Sequence, residues 1–182
     1  MLRPVAWICA ALLSLAAVAS SHAQAPPTEY QVKAVFLFNF SQFVDWPPST
    51  FADGRSPLVI GVLGTDPFGA TLDEIVRGET VNGRPLAVRH YQSVEQLDAC
   101  HILFIDRSQD AQLDGIIAAL QGRSVLTVGD FDGFTRRGGM IRFVTVDNKI
   151  RLRVNLAAAR QANLAISSKL LRPAQIVAPG KD

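Results

Sequence analysis

The run Leu58–Leu63, LVIGVL, constrains this chain more than any other stretch of it. It is rich in β-branched residues, ends at Gly64, and has too few residues to span a bilayer. It also lacks the alternation of a strand with one wet face, so it predicts a strand buried on both faces, with cover needed above and below it. Ile102–Ile105 and residues 125–128 repeat the pattern. Helical segments fall between these runs. Phe68, Leu72, Ile75 and Val76 form one apolar face, with Asp66 as N-cap and Pro67 at the first helical position. Leu113, Ile116, Ile117 and Leu120 form another, stopped by Gly122. Residues 84–90 set Leu86 and Val88 against polar neighbours, as in an edge or half-covered strand, and Ser93 opens a short capped helix. This alternation predicts a parallel sheet with right-handed crossovers and helices on both faces. The expected fold is a Rossmann-like or flavodoxin-like three-layer α/β domain with four mainly parallel strands.

The rhythm breaks near the end of the chain. Residues 140–146 and Lys149–Val154 are separated by Asp147 and Asn148 alone, a two-residue hairpin signal, so an antiparallel hairpin is expected to edge the sheet. Asn155 caps Leu156–Gln161, Ser167 or Ser168 begins another turn or two before Pro173, and residues 175–182 are expected to fray. At the other end, Thr28 and Gln31 form a capping box for a helix expected to run to about Trp46, where Pro47 and Pro48 stop it. Its apolar residues, among them Val35, Phe36, Leu37, Phe40, Phe43 and Trp46, occupy more than one stripe. Such a helix needs two partners: the domain's own sheet, and a second subunit or another protein.

Residues 1–23 have the anatomy of a cleavable secretory leader, with Arg3 ahead of an apolar core over residues 5–19. Ser21 and Ala23 are the small residues a signal peptidase reads, which places cleavage after Ala23. The expected organisation is therefore a leader (1–23), a linker (24–29), one domain (30–174) and the tail. Losing the leader removes one of 18 basic residues and none of the 16 acidic ones. A net charge near zero with interspersed signs argues against nucleic acid, which requires a basic face. Cys9 leaves with the leader, so Cys100 has no partner for an intramolecular disulfide. It is either a buried small hydrophobe or a link between chains, and its apolar flanks favour burial.

No motif for a cofactor, a metal or a catalytic nucleophile stands out. Gly61, Gly64 and Gly69 sit where a dinucleotide fold places its phosphate loop, but their spacing is not G-x-G-x-x-G, and Pro67 removes an amide. Asp106, Thr127 and Lys149 resemble part of a phosphoacceptor constellation, without the acidic pair that would hold Mg²⁺. His90 and His101 have no partner histidine nearby, and Asp130 and Asp132 lack the later ligands of a calcium loop. That acidic stretch reads as a mobile loop stiffened by Arg136 and Arg137. A ligand crevice remains available at the carboxyl ends of the strands, bordered by Gly64, Asp66, Asp106 and Ser108.

Six strings taken in order carry a resemblance: KAVFLFNFSQFVDWP, LVIGVLGTDPFG, CHILFID, VLTVGD, GGMIRFV and RVNLAAARQANLAISSKLL. From about Tyr30 to Leu171 the chain resembles the YfiR-like family of bacterial periplasmic proteins. The resemblance implies a periplasmic α/β domain, often a homodimer, that binds the extracytoplasmic sensor region of an inner-membrane diguanylate cyclase and represses it. Cyclic di-GMP and biofilm formation would fall in consequence. It implies no catalytic residues and no cofactor. Family members can carry structural disulfides, whereas this chain after processing has Cys100 alone, so redox control through intramolecular bridges is closed to it. The candidates for partner contact are Phe36, Phe40, Phe43 and Trp46, which could equally be core. The alternative function is a small-ligand sensor using the crevice at Gly64, Asp66, Asp106 and Ser108.

Overall fold

The computed structural model describes residues 27–182, so the leader and its cleavage site lie outside the described residues. The capping box forms as read: Thr28 accepts from the Gln31 amide, and the Gln31 side chain accepts from the Thr28 amide. It opens α1 (Glu29–Phe43). The helix stops short of Trp46 because Val44–Asp45 leaves it as a strand, β1, which pairs antiparallel with β9 (Ala165–Ile166). Tertiary pairing thus overrides a sequence that could have continued the helix by three residues.

The main sheet is built from β2 (Leu58–Leu63), β3 (Thr80–Val81), β4 (Arg84–Tyr91), β5 (Ile102–Ile105), β6 (Leu126–Gly129), β7 (Ile141–Val146), β8 (Lys149–Val154) and β10 (Gln175–Ile176). Its order is β10-β8-β7-β6-β5-β2-β4-β3. The strands β4, β2, β5, β6 and β7 are mutually parallel. Taken in chain order, these five follow the flavodoxin-like arrangement 2-1-3-4-5 rather than the Rossmann one. β7 and β8 form the expected hairpin, with Asp147 and Asn148 both at positive φ (49° and 56°), the geometry of a tight two-residue turn. The sheet does not end there. Val177 donates to the Val154 carbonyl at 2.9 Å, and Gln175–Ile176 adds β10 alongside β8, so the first residues of the tail expected to fray form a short parallel edge strand.

Side chains alternate across the sheet. Leu58, Ile60, Val62, Ile102, Phe104, Leu126 and Val128 belong to one buried cluster together with α1, α2 (Ala70–Val76), α4 (Leu156–Gln161) and the turn α5 (Ser168–Leu171). Leu63, Leu103 and Ile105 belong to the other, under α3 (Leu113–Ala119) and the loop residues Phe131 and Phe134. α2 begins at Ala70 rather than at Pro67. The Asp66 carboxylate accepts from the Phe68 amide at 2.8 Å and holds a turn instead of a helix cap. The second partner that α1 needs is found largely within the chain, because α1 lies between α2 and α5 on its face of the sheet.

Candidate functional site

In a doubly wound sheet the two loops that leave the switch point diverge and open a crevice at the carboxyl ends of the strands. Here that point lies between β2 and β5, where all four crevice candidates are found, but the loops cross instead of parting. Asp106 caps a 3-10 turn (Arg107–Gln112) by accepting from the Ser108 amide at 2.7 Å. The turn carries Ser108 over the end of β2, and the Ser108 hydroxyl accepts from the Thr65 amide at 3.1 Å. A side chain at Gly64 would bring its Cβ to 2.5 Å from that hydroxyl, and Gly64 also has a φ of +93°, so only glycine serves here. Gly64, Asp106 and Ser108 are thus brought together. Asp66 turns away to His90, 3.3 Å from its Nε2, a partner the sequence did not suggest.

One strand over, Asp130 follows β6. Its carboxylate meets Lys33 of α1 at 2.6 Å and accepts from the Tyr30 hydroxyl at 3.0 Å. The Lys33 ammonium also meets Glu29 at 2.6 Å and lies 4.3 Å over the Tyr30 ring. Lys33 is only 3% exposed. Burial first, and then the charge of Asp130, push the Tyr30 phenol above its ordinary range. Removing one member of such a buried pair strands the other, at a cost of about 3–5 kcal/mol. The pair was legible only as a cation standing among the apolar positions of α1. The loop after β6 is not the mobile segment expected: Phe131 and Phe134 are core, Asp132 pairs with Arg142, and Arg137 instead reaches Asp110 and Asp114.

The four aromatics of the first helix separate. Phe40 is fully buried, stacked on Phe143 of β7 at 5.9 Å, and has no surface to offer a partner. Phe36 is half-buried against Phe40 and Phe143, and Phe43 is half-buried at the end of α1. Trp46 lies at the opposite, amino end of the strands, where its indole N–H donates to the His101 carbonyl at 3.1 Å. His101 stacks on Phe51 at 4.4 Å, and its Nδ1 accepts from the Val59 amide. Burial, and secondarily the Arg84 charge, push the imidazole down to about 4. The helix nevertheless keeps an apolar outer surface, on which Val35 is 45% exposed.

Cys100 is buried, as its flanks suggested; its thiol donates to the Ile102 carbonyl, and burial pushes it up to about 12. Among the described residues no group of three or more His, Cys, Asp or Glu side chains could hold a metal ion. A cavity of about 540 Å³ opens away from the carboxyl ends, between α3 and α4, and the tail residues Pro179 and Gly180 wall one side of it.

Among curated proteins none matches the chain. A family model described as YfiR/HmsC-like matches it over residues 30–175, from the first turn of α1 to the edge strand β10. With both faces of the sheet and the parallel strands β2, β4, β5, β6 and β7 inside that match, the chain belongs to the YfiR/HmsC-like family.

Proposed function

We propose that this protein is a periplasmic negative regulator that binds the extracytoplasmic sensor region of an inner-membrane diguanylate cyclase and lowers cyclic di-GMP signalling and biofilm formation. The observation that carries this reading is the family match over residues 30–175. The site geometry supports it in one respect. The crevice that a small-ligand sensor would use is crossed by Ser108 and tied by hydrogen bonds within the chain, while α1 keeps apolar surface. No helix of the described residues is long and apolar enough to cross a membrane.

A periplasmic protein cannot touch a cytoplasmic catalytic domain, so it must bind one state of the transmembrane enzyme better than the other. Moving a switch from almost fully on to almost fully off takes about 5.5 kcal/mol of differential affinity, which a few aromatic contacts in a well-packed patch can supply. Phe36, Phe43 and Trp46, with the exposed Val35, are the residues we assign to that contact. The working unit is a homodimer, and the protein does no chemistry of its own.

Deleting the gene should raise cyclic di-GMP and surface attachment only in strains that also carry the partner cyclase. Val35→Asp, on the exposed side of α1, should relieve repression while leaving the thermal midpoint within a degree or two. If deletion leaves cyclic di-GMP unchanged in a strain expressing its membrane cyclases, the regulatory reading fails and the ligand sensor replaces it. A Val35→Asp protein that represses fully would move the contact off α1. Mass spectrometry of periplasmic material should find a mature chain beginning at Gln24.

A further inference from the structure

The buried guanidinium of Arg142 lies on the sheet face away from α1, in register with Arg153 across the β7–β8 hairpin, and is only 7% exposed. A cation so buried needs an anion, and the chain supplies two. Asp132 is one, but its side chain is 93% exposed. The other is Asp182, whose side chain is 13% exposed and which arrives from the far end of the tail. One Asp182 oxygen accepts from the Gly133 amide at 2.8 Å and from Arg142, and the other accepts from the Thr135 hydroxyl at 2.6 Å. Burial alone would raise this carboxyl, but Thr135, Gly133 and Arg142 together hold it below the ordinary carboxylate range.

The receiving groups and the occupant are held very differently. Thr135 is fully buried, the loop that carries it is pinned by Phe131 and Phe134, and Arg142 belongs to a central strand. The occupant hangs on residues 178–181, all exposed, and the last firm anchor before it is Val177. If the tail lifts, a fixed pocket of donors is left around a buried cation, one of whose nitrogens, Nε, already has no partner. Asp132 remains paired with Arg142, but the Gly133 amide, the Thr135 hydroxyl and one guanidinium nitrogen lose their acceptor, and unsatisfied buried donors of this kind favour another anion in its place.

We propose that Gly133, Thr135 and Arg142 form a carboxylate-binding site whose resident ligand is the chain's own Asp182, and that a carboxylate from outside competes with the tail for it. Amide, hydroxyl and guanidinium donors converging on two oxygens suit a carboxylate, and charge-assisted bonds of this kind are the strong ones. The ligand is either a free organic acid or an acidic side chain of another protein. Because Pro179 and Gly180 also wall the cavity between α3 and α4, a tail that leaves the site opens that cavity as well. The proposal does not depend on what the protein represses.

The test follows the Gly133 amide by nuclear magnetic resonance in the full-length mature chain. Asp182→Ala should move that resonance upfield, and acetate should return it with a saturable dose response that chloride at equal ionic strength does not reproduce. The unsubstituted protein should need at least tenfold more acetate, because its tail competes. In the Asp182→Ala background, Thr135→Val should weaken the acetate response several-fold, with dispersion elsewhere in the spectrum reporting that it is folded. A hexapeptide of residues 177–182 added in trans separates the two sources: saturation well below the acetate range supports a protein segment, and saturation in the same range supports a free acid. A folded Asp182→Ala protein on which acetate acts no more strongly than chloride overturns the proposal, and Asp182→Asn, which keeps the side chain's shape, guards against a folding artefact.

Discussion

The two faces of the sheet are filled in opposite ways. On the α1 face the space is filled by large side chains: among the described residues 25 buried apolar ones form one cluster, with the Phe36, Phe40 and Phe143 rings packed together. The α3 face holds 12, and there the sheet itself makes room by omitting side chains. A Cβ at Gly129 would come within 2.6 Å of the Phe134 ring, one at Gly139 within 2.2 Å, and one at Gly61 within 2.9 Å of the Cys100 sulfur. The first face should therefore suffer from atoms taken away, and the second from atoms added.

The strongest blow to that contrast is Phe40→Ala, which empties a fully buried ring from the α1 face. A loss of about 3–5 kcal/mol is expected, a fall of roughly 10 °C in thermal midpoint for a chain of this size. Phe36→Ala, half-buried beside it, should cost less than half as much. Equal losses would mean that the face is filled less specifically than the rings suggest.

Next in size is the amino rim, where His101 is held neutral. Its imidazole titrates near 4 in the fold and near 6.5 in an unfolded chain. Above pH 6.5 it is neutral in both states and contributes nothing to pH dependence. As pH falls from 6.5 to 4 the unfolded chain takes a proton that the fold refuses, so stability declines by up to about 3 kcal/mol. His101→Gln should flatten denaturant midpoints over that window, and an unchanged slope would assign the acid sensitivity to other groups.

Gly129→Ala should cost about 1–3 kcal/mol by overpacking against Phe134. Joined to Phe134→Leu, the pair should lose less than the sum of the two single changes. Full additivity would break the comparison. The smallest effect sharpens it: reducing agent should leave the midpoint unchanged, while Cys100, on the α3 face, should react with a thiol reagent at a rate set by opening of that face. Labelling much faster than global unfolding would show that the α3 face opens on its own.

Local information carried the fold well. The apolar runs, the Thr28 box, the Asp147–Asn148 turn and the Asn155 cap each place their elements within a residue or two, because a few neighbouring residues decide them. Elements of two residues were out of reach. Asn82–Gly83 does turn a hairpin, but Thr80–Val81 is too short to show alternation, and β1 is a strand only because residues 165–166 lie beside it. The site was less legible for the same reason. Gly64 and Asp106 were visible as strand ends, yet nothing local says that Ser108 crosses between them. Lys33 lies 97 residues from Asp130 and Arg142 lies 40 from Asp182, so their pairing is written in the topology rather than in any stretch of sequence.

Both outermost strands of the main sheet, Thr80–Val81 and Gln175–Ile176, are only two residues long. A sheet margin is normally a row of unused donors and acceptors on which a neighbouring chain can polymerise. Beyond the reach of these short strands the rows stay open: residues 87–91 of β4 and 149–152 of β8 have a strand partner on one side only. Charge stands along both, Arg89 on the first and Lys149 and Arg151 on the second, and bringing such a margin against another copy would desolvate it. Resistance to fibre growth at high concentration thus rests on charged side chains rather than on a missing ladder.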